Sequence, residues 1–142
     1  MNTKTKVTNR SDDFVIYHST EGMGYEYKPK GSYSWFSRKS RKFLDRAIGC
    51  NVWMITGTRD SNKRMIYRLV GTFTPSEIRD DPGDPGLHII YGEQGSELHP
   101  PLVLNDLDWF RELYRAQNKF SFGFSTIHGD QVLAGLHSAM QP

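Results

Sequence analysis

The chain has 142 residues, a hydrophobic share of 37% and a net charge of +2, enough for one modest core but not for two independent domains, so a single domain over residues 1–142 is expected. The longest apolar run is VWMI at 52–55, far short of the roughly 20 residues that cross a bilayer, so a membrane span is not expected. The opening stretch MNTKTKVTNRSDDF follows its cations with no apolar segment, so neither is a secretory signal.

Taken in chain order, DDFVIYHS predicts a short strand at 14–17, where β-branched and aromatic residues follow an acidic turn. Residues 20–34, rich in Gly, Tyr and Lys, read as a loop. A helix is predicted at 38–48, with Ser37 as its cap and Gly49 as its stop. Phe43, Leu44, Ala47 and Ile48 fall on its apolar face, and Arg38, Lys39, Arg41, Lys42 and Arg46 largely occupy the wet ones. The segment NVWMITGTRDSNKRMIYRLVGTFT holds two β-rich runs around a polar turn and predicts a hairpin. Its first strand is apolar in unbroken succession and so is expected to be covered on both faces. In the return strand Met65, Tyr67, Leu69 and Phe73 share a face, with Gly71 at a bulge or close approach.

PSEI at 75–78 is read as the start of a short helical turn, and DDPGDPG at 80–86 as an exposed loop. LHIIYGE predicts a strand and QGSELHPP a loop. LNDLDWFRELYRAQN predicts a helix capped by Asp106, with Phe110, Leu113, Tyr114 and Gln117 inward. KFSFGFSTI alternates as a strand, and GDQVLAGLHSAM reads as a helix burying Val132, Leu133, Leu136 and Met140. The expected class is therefore α+β: a small curved mixed sheet or barrel flanked by about three helices.

The usual marks of nucleotide hydrolysis, dinucleotide binding and serine-hydrolase chemistry are absent. His18, His88, His99, His128 and His137 are scattered, and Cys50 has no second thiol with which to pair. Neither a metal ion nor a cofactor is expected, and the lone cysteine fits a reducing, cytoplasmic setting. Glu26 and Lys28, with Asp12 and Asp13 upstream, superficially match the acidic pair and lysine of metal-dependent nucleases. Their Gly/Tyr/Pro-flanked loop is a poor platform for such chemistry.

Charge is distributed unevenly. Residues 1–79 carry 15 Lys and Arg against 7 Asp and Glu, a balance of +8, and residues 80–142 carry 3 against 9, a balance of −6. A basic binding face backed by acidic surface would produce this polarity, as would two solvated surfaces with no partner. Lys28, Lys30, Arg38, Lys39, Arg41, Lys42 and Arg46 are interleaved with Tyr25, Tyr27, Tyr33, Trp35 and Phe36. Cations attract phosphates, and exposed rings stack on bases for about 1–3 kcal/mol each. The pattern points to a DNA or RNA surface; the competing reading has Trp35 and Phe36 stapling the helix entry to the core. Trp53, inside a strand, reads as core before it reads as a ligand contact, and Trp109 as packing.

The order of elements resembles the PUA-like superfamily, especially its EVE and YTH branches. The matching positions are Ser19, Trp35, Leu44, Ala47, residues 52–55, Tyr67, Leu69, Gly71 and Phe73, within residues 14–78. The resemblance implies a curved sheet approaching a barrel, with a pocket between the first strand and the Trp-bearing segment that accepts a flipped or unpaired modified base. Trp35 would match one wall of an aromatic cage, while the second Trp has no counterpart near Phe73; Tyr91 or Trp109 could replace it. The expected function is nucleic-acid binding without turnover, its sharper form being recognition of a modified base. The candidate contacts are Tyr17, His18, Ser19, Ser34, Trp35, Phe36, Ser37, Arg38, Lys39, Arg41, Lys42, Trp53 and Tyr91. A metal-dependent nuclease and a protein-interaction module with an acidic second half stand as alternatives.

Overall fold

The computed structural model describes residues 12–20, 32–121 and 123–141. Among the described residues, eight strands and three helices follow in the order β1 (Asp13–Ser19), β2 (Tyr33–Ser37), α1 (Arg41–Asp45), β3 (Val52–Arg59), β4 (Met65–Thr74), β5 (Glu77–Asp80), β6 (His88–Gly92), β7 (Gln94–Val103), α2 (Phe110–Ala116), β8 (Phe124–Ile127) and α3 (Asp130–Ala139). They form a mixed five-stranded sheet, β7-β4-β3-β1-β8, and a three-stranded sheet, β2-β6-β5. The class is α+β, as expected. The larger sheet does not close into a barrel, because β7 and β8 lie at its opposite edges.

Strand β3 organises the interior. Its first six residues are buried, which matches the prediction of a strand covered on both faces. Val52 and Met54 point into one cluster with Phe14, Ile16, Trp35, Leu44, Phe73 and Ile90, on the side of the small sheet and α1. Trp53 and Ile55 point into a second cluster with Leu69, Leu113, Phe120, Val132 and Leu136, on the side of α2 and α3. Alternation along one strand thus feeds two apolar layers, and no polar face is left for water.

The predicted hairpin is present. Asp60 Oδ1 accepts the backbone N–H groups of Asn62 and Arg64, at 2.8 and 2.9 Å, and so holds the polar turn. The register of β4 against β7 jumps between Leu69 and Gly71, where pairing passes from Leu102 to Glu97. Residues 98–101 of β7 have no register partner on β4, which keeps the two prolines, lacking donors, out of that ladder. Gly71 sits at the jump because a Cβ there would run into the Ser96 carbonyl oxygen.

Several predicted boundaries are corrected. Tyr33 and Ser34, read as loop, belong to the strand Tyr33–Ser37, and the helix starts later; residues 21–31 of the expected loop lie outside the described residues. Helix α1 covers only Arg41–Asp45 and is capped by Ser40, whose hydroxyl accepts the Phe43 N–H at 3.1 Å. Ser37 instead accepts from Lys39 N at 3.1 Å, and Ile48 is exposed. The PSEI segment leads into strand β5, not a helix, and the QGSELHPP segment lies in strand β7, not a loop. Helix α2 begins at Phe110 with no side-chain cap, so Asp106 does not serve there. Strand β8 begins only at Phe124 because Asn118, Lys119 and Phe120 turn the chain through positive φ. Phe122, expected in that strand, lies outside the described residues.

Candidate nucleic-acid interface

The expected contacts do not converge on one pocket; the two sheets divide them. Along β1, Phe14, Ile16 and His18 face the small sheet, while Val15 and Tyr17 face the helices. His18 is 2% exposed and meets the Trp35 ring edge-on, with centroids 5.8 Å apart. Tyr17, its neighbour in sequence, lies on the far side of the sheet, stacked on Phe120 at 5.0 Å. Gly57 on β3 makes room for it, since a Cβ there would strike the Tyr17 hydroxyl.

Trp35 is 6% exposed and belongs to the core cluster on the small-sheet side. Trp53 is 1% exposed in the other cluster, where its Nε1 donates to Asp13 Oδ2 at 2.8 Å and its ring meets His137 edge-on. The two indoles thus occupy separate layers. Trp109 is half-buried against the Trp53 cluster, and Ser19 is half-buried beside Gly57.

Strand β2 sends alternate residues the other way. Tyr33 and Trp35 point inward, and Ser34 and Phe36 point out, the latter 54% exposed. Antiparallel pairing extends this parity across the small sheet. One cross-strand row is Phe36, Ile89 and Arg79; the next is Ser34, Tyr91 and Glu77. Arg79 lies over the Tyr91 ring at 4.0 Å and binds Glu77 at 2.8 Å, holding that carboxyl below its usual value chiefly through the hydrogen bond. Three expected contacts, Ser34, Phe36 and Tyr91, therefore meet on one outer face. Arg79 and Ile89 complete it, and the signal for them was the in–out alternation of EIRD and HIIY, which needs the sheet to be seen.

The basic segment borders this face at its Ser37–His88–Asp80 end, because α1 packs against β5. Its arginines are engaged. Arg38 pairs with Asp84, Arg41 with Asp45 at 3.3 Å and Asp80 at 3.2 Å, and Arg46 with Asp12 at 2.9 Å. The acidic half of the sequence folds onto the basic half here, so the charge polarity along the chain is locally compensated. Lys39 and Lys42 are exposed and form no ion pair among the described residues.

The sheets are fastened by Tyr33, buried and stacked on Phe73 with centroids 5.2 Å apart, whose hydroxyl donates to Glu97 Oε2 at 2.7 Å. Burial, then that hydrogen bond and the carboxylate charge, push its pKa up to about 12.

Glu26, Lys28, Lys30, Tyr25 and Tyr27 lie outside the described residues. Asp12 and Asp13, the upstream acids of the nuclease constellation, are occupied by Arg46 and Trp53. Among the described residues no helix is long and apolar enough to cross a membrane. No protein-family model matches the chain, and no curated protein matches it with significance.

Proposed function

We propose that the chain is a PUA-like nucleic-acid-binding domain that works without turnover, and that its contact surface is the outer face of the small sheet. Bases of a single strand stack on Phe36 and on the Tyr91–Arg79 pair, while Lys39 and Lys42 attract the phosphates. The observation that carries this reading is the exposed Phe36 ring in register with Ile89 and Arg79, beside a Tyr91 ring covered by a guanidinium. The succession of β1, the Trp35 segment, α1 and the β3–β4 hairpin supports the PUA-like relation. Trp35, which a modified-base cage would need, faces away from this surface. Methylated and unmethylated strands are therefore expected to bind equally.

Fluorescence anisotropy with short DNA and RNA single strands tests the reading. Phe36→Ala and Tyr91→Ala should each weaken binding by about 5- to 100-fold, the range that losing one base stack implies. Both residues reach solvent, so the thermal midpoint should move little. Unchanged affinity in both variants would place binding elsewhere, and a preference for a methylated strand that disappears in Trp35→Phe would restore the cage.

A further inference from the structure

Between the start of β4 and α2, on the opposite face of the large sheet from Trp35, lies an open cleft of about 330 Å³. Tyr67, Phe110 and Tyr114 supply aromatic walls, and Arg64 and Arg111 stand among its lining residues. Asn105 also lines it and is held to the backbone of β4: its Oδ1 accepts the Tyr67 N–H and its Nδ2 donates to the Met65 carbonyl, both at 2.9 Å. The charged part of recognition falls on the guanidinium groups.

Both arginines are exposed. Arg111 forms no ion pair among the described residues, and the contact from Arg64 to Asp106 spans 3.9 Å, at the limit of an ion pair. This differs from the arginines around α1, each held by an aspartate. Two available guanidiniums beside three rings combine a phosphate fork with a stacking wall. The volume stands at the small end of ligand pockets, which suits one nucleotide and excludes several residues of peptide. The walls are rigid, because Tyr67 packs against Phe110, Tyr114 and Phe120 at centroid distances of 5.3–5.4 Å.

We infer that this cleft is a second binding site, for a nucleoside monophosphate, with Arg64 and Arg111 on the phosphate and the base against Tyr67, Phe110 and Tyr114. The same chemistry is presented by a free mononucleotide and by the phosphorylated end of a strand.

Calorimetric titration of the full chain with AMP, adenosine, inorganic phosphate, a 5′-phosphorylated dinucleotide and a phosphotyrosine peptide tests the inference. AMP should bind saturably, with adenosine and phosphate each at least about tenfold weaker, since each retains half of the contacts. Arg64→Ala and Arg111→Ala should each weaken AMP about tenfold, and both positions are exposed enough to leave folding intact. Tighter binding of the dinucleotide assigns a strand end, and equal binding assigns the free nucleotide. The inference is overturned by absence of saturation with AMP, by unchanged affinity in both arginine variants, or by a phosphotyrosine peptide that binds as tightly as AMP. It stands apart from the small-sheet reading: Phe36→Ala should leave AMP binding unaltered, and a loss there would overturn the cleft.

Discussion

Tyr33 shows how much one side chain contributes to the relation between the two sheets. Its ring lies on Phe73 and its hydroxyl reaches Glu97 on β7, so a residue of the small sheet is hydrogen-bonded to the edge of the large one. The fold favours the neutral phenol, with a pKa near 12 against the ordinary tyrosine value of about 10. A group whose pKa is raised on folding contributes its full stabilisation below the unfolded value and loses it as pH climbs through the folded one. Urea midpoints should therefore fall between about pH 10 and about pH 12. Tyr67, raised in the same direction by burial and by Tyr114, adds to the slope. In Tyr33→Phe the decline should be shallower, with a loss of about 1.5–3 kcal/mol below pH 10 because a charge-assisted hydrogen bond is gone. Parallel curves for the two proteins would refute this account of Tyr33.

At the level of elements, α1 was legible as a cationic helix but not in its extent. Ser37 and Ser40 are both plausible caps by composition, and choosing between them depends on β2 running through Ser37 to pair with β6. The structure gives the cap to Ser40, whose hydroxyl meets the Phe43 N–H. Ser40→Ala should cost about 1 kcal/mol in urea unfolding, and Ser37→Ala less than half of that. The reverse order would show that the helix begins where the sequence pattern placed it. The β3–β4 hairpin was readable because its periodicity and its polar turn are local properties. Strands β5 and β7 were not, since Pro75, Pro100, Pro101 and the glycines of that region are turn formers unless an existing sheet pairs with the residues between them.

Across the whole molecule, the decisive change between sequence and structure is electrostatic. A run of five cations suggested a broadly basic surface, but the fold sets Asp12, Asp80 and Asp84 against three of its arginines. These pairs are solvent-exposed, so each adds little to stability while still lowering the local potential. Lys39 and Lys42, which form no ion pair among the described residues, remain to meet a single strand along the small sheet. The logarithm of affinity should therefore fall with the logarithm of salt at a slope of about −1.4. A slope near about −3.5 would mean that Arg38, Arg41 and Arg46 exchange their aspartates for phosphates and that the whole basic run takes part.

The amino-acid sequence by itself determined the α+β class, the doubly covered central strand, the main hairpin and the inward faces of the last two helices. Each of these rests on apolar spacing within about twenty residues, and that spacing acts through nearest-neighbour geometry. Only the tertiary structure decided which aromatic rings reach solvent. Trp35 and Phe36 are adjacent and both large aromatics, yet one is core and the other is surface, because the pairing of β2 with β6 sets the parity of the strand. The same long-range pairing brings Asp80 and Asp84 to the arginines of a segment some forty residues earlier, a proximity that no local pattern encodes.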